Sequence, residues 1–430
     1  MTPKRFSATA ALTMAAFLLH LAAAPPAVQA QAPGGALRVA LPFDLVEVLD
    51  WAKFKIRVPK NWNGTLLVYL QGIKMGTPPP EPLLVPPVLP GSQPPLEETL
   101  LSRGYALAAS EIGNMDSQQK EAVQDSLALT SYFRGRVGDP ARVILWGTSA
   151  GGLSTLKMIE DYPRAFEGAI ATCTPAAGVP RNMDRKLDFS LAYAVTFGWP
   201  ADKWGPLENL RQGLNFQRDV LPIAQVPKAD GSNRGAWEFI RLVNGLSTEA
   251  FWQTDPSFNV PGWMMNLLFA TQNRKQTESW AAGPVAQNLD HRYTLKPEEK
   301  TYLAGLGINA DDLLAKMNSR TNIMAAPWAR DYVERFGGLR GKLLRPTLTL
   351  HNTMDPQNEV AHESAYRTIV EGWGCQDRLV QVYVKGVGHC AFTSAQFLAT
   401  LEAMERWLDT SFFPEEKGFD NKFVPPPWPY

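Results

Sequence analysis

Val143-Ile144-Leu145-Trp146-Gly147-Thr148-Ser149-Ala150-Gly151-Gly152 is the stretch on which the reading of this chain turns. Four apolar residues long enough only for a short strand run into a G-x-S-x-G turn, and a helix-compatible segment begins at Gly151. Such a turn holds its serine in a strained, exposed position, and a side chain at either flanking glycine would collide with it. The pattern alone is weak, because a chain of this composition meets it by chance about once in ten. Its context between a strand and a helix is what gives it meaning.

Working outward, short apolar runs alternate with helical ones. Strands are expected at Ala36–Ala40, Trp51–Val58, Leu66–Leu70, Tyr105–Ala109, Val143–Trp146 and Ala169–Thr172. Helices are expected at Gln118–Arg134, with Ala122, Val123, Leu127 and Tyr132 on one face, and at Gly151–Tyr162. From Thr347 the rhythm resumes: strand Thr347–His351, helix His362–Trp373, strand Leu379–Val384 and helix Ser394–Leu408. This alternation predicts an α/β fold with a mostly parallel sheet covered on both faces. Chemistry in such sheets gathers beyond the carboxyl ends of the strands. Thr77–Glu98 holds nine prolines and reads as a stiff loop.

A serine hydroxyl needs a base. Of the five histidines, His389 alone follows a strand through a glycine-rich turn, Gly386-Val387-Gly388, near the C-terminus. His351, at a strand end, is the runner-up. Asp355, just after strand Thr347–His351, is the expected carboxylate that orients the imidazole, with Glu359 and then Asp377 as alternatives. The order Ser149, Asp355, His389 is that of the α/β-hydrolase arrangement. Oxyanion donors are expected from the backbone N–H groups of Ala150, at the helix start, and Ile73, in the turn Gln71-Gly72-Ile73.

Val58-Pro59-Lys60-Asn61-Trp62-Asn63-Gly64-Thr65, Arg103–Ser110, the Ser149 turn, Leu350–Pro356 and Gly388-His389-Cys390-Ala391-Phe392-Thr393 together resemble secreted bacterial α/β-hydrolases, over residues 36–174 and 340–412. The resemblance implies a serine hydrolase of esterase or peptidase type. Gln71 departs from the pattern, standing where many relatives carry a histidine before the oxyanion glycine. We expect hydrolysis of a carboxylic ester, small or polymeric, through an acyl-enzyme. A peptidase or amidase using the same residues is the alternative, and a non-catalytic binding protein is a third class. An aminopeptidase would need an acid for the substrate ammonium, for which Asp184, Asp188 and Glu208 are candidates.

Residues 175–339 break the rhythm and carry seven of the thirteen tryptophans. They are expected to form an inserted cap between core segments 31–174 and 340–430. Within it, Trp263, Met264 and Phe269 are candidate pocket residues for an apolar or aromatic substrate.

Lys4 and Arg5, the apolar stretch to Ala24 and the small-residue site Val28-Gln29-Ala30 form the three-part pattern of a signal peptide over residues 1–30, so export to the periplasm or medium is expected. No later apolar run is long enough to span a bilayer. With 42 basic and 42 acidic residues the chain lacks the basic footprint of a nucleic-acid binder. No metal-ligand spacing or dinucleotide glycine pattern appears, so neither metal nor cofactor is expected. Oligomeric state is not written in the pattern. Cys375 and Cys390 flank a predicted strand and lie roughly 20 Å apart, too far to pair. Cys173 and Cys390 both fall at strand ends, but no bridge is expected between them.

Overall fold

The computed structural model describes residues 36–49, 51–73, 81–111, 119–413, 419 and 422–429. The signal-peptide reading of residues 1–30 therefore lies outside the described residues. An eight-stranded sheet has the order β1-β2-β4-β3-β5-β6-β9-β10. Its strands are β1 (Phe43–Leu49), β2 (Ala52–Val58), β3 (Thr65–Leu70), β4 (Ala106–Ser110), β5 (Arg142–Thr148), β6 (Gly168–Thr172), β9 (Thr347–Met354) and β10 (Leu379–Val387). A two-stranded ribbon, β7 (Thr254–Asp255) with β8 (Val260–Pro261), lies between β6 and β9 in sequence. The pairs β1–β2 and β2–β4 are antiparallel. All other neighbours in the main sheet are parallel. With the elbow on β5, this is the α/β-hydrolase fold.

The mostly apolar runs β3, β4 and β6 are buried along their length, as strands covered on both faces must be. β1 was not anticipated; the strand expected at Ala36–Ala40 is irregular chain instead. The edge strand β1 alternates apolar and charged residues along Phe-Asp-Leu-Val-Glu-Val-Leu and is half exposed, which hides it from a search for apolar runs.

Helix α1 (Leu96–Ser102) emerges from the proline-rich segment, with Pro95 just before its first turn, a place proline tolerates. α2 (Gln119–Arg136) buries Ala122, Ser126, Leu129 and Phe133. Leu127 and Tyr132 are only partly buried, so the inward stripe is rotated from the expected face and admits small polar residues. α3 (Ala150–Asp161) follows β5, and eleven of its twelve residues are buried.

Between β6 and β9 lie α4 (Gly178–Phe197), several shorter helices and the β7–β8 ribbon. These residues have their own apolar cluster, in which Tyr193, Trp204, Trp237 and Phe251 pack together. The tryptophan enrichment is thus largely a matter of core packing.

Candidate active site

β5 delivers Ser149 through a turn that sequence chemistry forces. Ser149 has φ 54° and ψ −122°, a conformation costly for a non-glycine residue. A Cβ on Gly147 would lie 2.3 Å from the Gly151 carbonyl oxygen, and one on Gly151 would lie 2.1 Å from that of Leu70. Neither position accepts any other residue without displacing backbone. The Ser149 N–H is tied to the Thr172 carbonyl at 2.8 Å, which pins the turn against β6.

His389 follows β10 and reaches back over the sheet edge. Its Nε2 lies 2.8 Å from Ser149 Oγ, and its Nδ1 lies 2.8 Å from Asp355 Oδ2. A carboxylate only accepts, so Nδ1 carries the proton and Nε2 is left to accept from the serine hydroxyl. Asp355 Oδ1 accepts the backbone N–H groups of Gln357 at 2.8 Å and Asn358 at 3.0 Å. Burial alone would push the Asp355 carboxyl up, but the neighbouring His389 and His351 hold it below the usual carboxylate range. The structure therefore brings Ser149, His389 and Asp355 into one hydrogen-bonded chain.

The alternatives are placed elsewhere. Glu359 faces Lys186 at 3.6 Å and His362 at 3.6 Å. Asp377 sits in the short 3-10 turn before β10 beside Arg378. His351 is fully buried against Glu363 and the Asn358 carbonyl.

Ala150 opens α3 beside Ser149, and the Gly72 backbone lies so close that a Cβ there would meet Ser149 Cβ at 3.0 Å. Ile73, next in the chain, lines the space on both sides of Ser149.

That space has two parts. A narrow pocket of about 70 Å³ is lined by Leu153, Val179, Met183, Trp280 and Phe336. A wider cleft of about 360 Å³ lies between the proline-rich loop and the β7–β8 ribbon, lined by Leu83, Pro87, Val88, Pro256, Phe258 and His389. Ile73, Ser149 and Phe269 border both. Among the described residues no wall of either part carries a carboxylate, lysine or arginine.

Of the three candidate pocket residues only Phe269 is in place. Trp263 packs on Trp237 with ring centroids 5.5 Å apart, and Met264 joins the same cluster; neither borders the site. The segment lies on a helix (Gly262–Leu268), so successive apolar residues diverge around its axis and most face inward. The three acids offered for an ammonium are also engaged. Asp184 pairs with Arg330, Asp188 with His291 and Tyr293, and Glu208 with Arg320. None borders either pocket.

Two features went unread in the sequence. Asp255, fully buried on β7, accepts the His389 backbone N–H at 2.8 Å through Oδ2 and that of Ser257 at 2.8 Å through Oδ1. The segment between β6 and β9 thus fixes the loop that carries the imidazole. A lone Asp-Pro pair gives no sequence signal for that.

Cys173 and Cys390 form a disulfide, Cα–Cα 5.2 Å, against the expectation of none. They are neighbours because the parallel pairing of β6 with β9 and β9 with β10 brings the carboxyl ends of these strands together. The bridge spans 217 residues, and closing a loop of that size stabilises by about 5 kcal/mol on the chain-entropy account. Reduction, or Cys173→Ser, is expected to lower the melting temperature and, because Cys390 adjoins His389, activity with it. Melting curves with and without a phosphine reductant check this; superimposable curves would count against it.

The chain is also similar in part to known proteins. The Prolyl oligopeptidase family matches residues 107–204, from β4 through the elbow into α4. An o-phthalyl amidase of Xanthobacter agilis is 25% identical over 91% of this chain and 92% of its own length. Among solved structures, feruloyl esterase B from Aspergillus oryzae aligns with TM-score 0.41 and 14% identity over 84% of this chain and 78% of its own. The Pyrococcus horikoshii acylaminoacyl peptidase aligns with TM-score 0.38 and 11% identity over 90% and 44%. The fold and the site together define a serine hydrolase of the α/β-hydrolase type. The protein that matches nearly the whole chain carries the name of an amidase.

Proposed function

We propose that the protein is an exported hydrolase of neutral carboxylic esters bearing an apolar or aromatic group. The observation that carries this is the Ser149–His389–Asp355 chain opening onto two pockets whose described walls hold no formal charge. Ser149 Oγ attacks the carbonyl carbon as His389 Nε2 takes its proton. The Ala150 and Ile73 N–H groups receive the developing oxyanion. The alcohol leaves with the proton from His389, and water, activated by the same imidazole, releases the acid. The narrow pocket suits a slim group and the wider cleft the bulkier one. Export is supported by the pattern of residues 1–30 and by the disulfide, a bond of oxidising compartments.

Hydrolysis of an amide is the second reading, favoured by the o-phthalyl amidase that matches nearly the whole chain. The acids free in a peptidase to hold a substrate ammonium are here paired away from the site. A panel of nitrophenyl esters, aryl amides and aminoacyl nitroanilides decides between them. Faster turnover of aminoacyl nitroanilides than of matched esters would overturn the ester reading.

Burying one large apolar side chain is worth about 1.5–3 kcal/mol. Phe269→Ala is therefore expected to lower kcat/KM for bulky or aromatic esters by roughly tenfold to a hundredfold, while an acetate ester loses far less. Trp263→Ala is expected to lower the melting temperature and affect all substrates alike. Equal losses on both substrates for Phe269→Ala would remove it from the pocket.

A further inference from the structure

Behind Asp355 stands a second imidazole. His351, on β9, points its Nδ1 at Glu363 Oε1 (3.0 Å) and its Nε2 at the Asn358 carbonyl oxygen (2.9 Å), with Asp355 Oδ2 3.5 Å from the same nitrogen. Every one of these partners is an acceptor, so both ring nitrogens must carry protons. Glu363, on helix Ala361–Gly372, accepts the Thr349 hydroxyl at 2.5 Å and the Gln381 amide at 2.6 Å, both donating to Oε2. His351, Asp355 and Glu363 are all essentially inaccessible to water.

We propose that His351, kept as an imidazolium by Glu363 and the Asn358 carbonyl, is a positioning residue for Asp355. It holds the shared carboxylate oxygen toward His389 and offsets its charge. The inference rests on reading Ser149, His389 and Asp355 as the reacting chain. A bare carboxylate in this buried place would bind the His389 proton too firmly for that imidazole to serve as a base. Sharing Oδ2 between two imidazoles divides that pull.

Burial alone would lower the His351 imidazole, but hydrogen bonds to Asp355 and Glu363 push it up to about 10, in keeping with the geometry. His362, next to Glu363 in the chain, is driven by burial down to about 3 and accepts the Ala177 N–H on Nδ1, so it stays neutral. Lys186 and Arg185, on α4, also bring positive charge near; Glu359 answers Lys186 at 3.6 Å, and Asp355 acts on Lys186 as well. Tyr383 on β10 and Tyr366 face Glu363, and burial pushes both above the ordinary phenol range, so they add no charge. Asp255, raised by burial, lies on the His389 side. No other cation faces Asp355 as closely among the described ion pairs.

The test is the pH dependence of kcat/KM on a slow ester. In His351→Gln the acid limb is expected to move up by on the order of one pH unit. Thr400→Val removes a buried hydrogen bond to the Gln396 carbonyl, outside this cluster, and should lower the melting temperature while leaving the limb in place. An unmoved limb in active His351→Gln overturns the inference. Should that variant fail to fold, ¹⁵N-histidine spectra of the wild-type enzyme serve instead. One histidine other than His291, assigned through His291→Gln, should keep both ring protons at pH 8. If none does, the inference fails. Inactive Ser149→Ala beside an unmoved limb sinks this inference alone; fully active Ser149→Ala sinks the underlying reading.

Discussion

Ser149→Ala is expected to abolish acyl-enzyme formation and to lower kcat by about 10⁴ to 10⁶-fold. The reason is geometric. Oγ is the atom that His389 Nε2 approaches at 2.8 Å, and the described residues bordering the two pockets offer no second serine or cysteine thiol placed against an imidazole. Ser257 borders only the wider cleft and Cys390 is bridged. Folding should survive, because alanine accepts the same backbone and removes only one hydrogen bond. The measurement pairs single-turnover kinetics on a nitrophenyl ester with labelling by a fluorophosphonate and a melting curve. Wild-type protein should label at one site and the variant at none. Full esterase activity in a clean, folded Ser149→Ala preparation would end the assignment. Absence of labelling in the wild type would instead favour a binding protein on this fold.

The second large effect is expected at Asp355→Asn, with kcat falling on the order of 10⁴-fold. Here the surroundings dictate how the amide sits. The Gln357 and Asn358 N–H groups both point at the Oδ1 position. They will hold the asparagine oxygen there and turn its NH₂ toward His389. An NH₂ donates, so Nδ1 must become the acceptor and the proton moves to Nε2. That is the wrong tautomer for taking the Ser149 proton, with every heavy atom in place. Glu359→Gln should be mild by comparison, because Glu359 answers Lys186 and His362 rather than His389. Both variants are compared on one slow ester with melting temperatures alongside. A crippled Glu359→Gln beside a nearly normal Asp355→Asn would reassign the acid.

The legibility of this protein varies with the range of the interactions involved. Ser149 could be read because its turn is a local steric problem: Gly147 and Gly151 are required by backbone atoms within a few residues or on the next strand. Asp355 and His389 could be read because each follows a strand whose apolar run is itself legible, and strand ends in a parallel sheet converge. The Gly386–Gly388 turn needed only its own composition. The pocket was less legible. Trp263, Met264 and Phe269 are equally apolar, yet they diverge around a helix, and only Phe269 meets Ser149. Composition identifies apolar residues but not the side of a helix that faces a cavity rather than a core.

The amino-acid sequence by itself determined the strand–helix alternation, the elbow and the carriers of the hydroxyl, imidazole and carboxylate, because those depend on periodicity and on sterics within a few bonds. Tertiary structure alone decided the contacts between segments far apart in the chain. Asp255 is ordinary until a ribbon from the insertion sets it beneath His389, 134 residues away. Cys173 and Cys390 are unremarkable until β6, β9 and β10 line up and bring them together. His351 looked like a spare base until the packing of helix Ala361–Gly372 on β9 put Glu363 against it. Each such pairing depends on where two distant backbones come to rest, and that is set by the burial of the whole sheet and its covering helices rather than by the residues that meet.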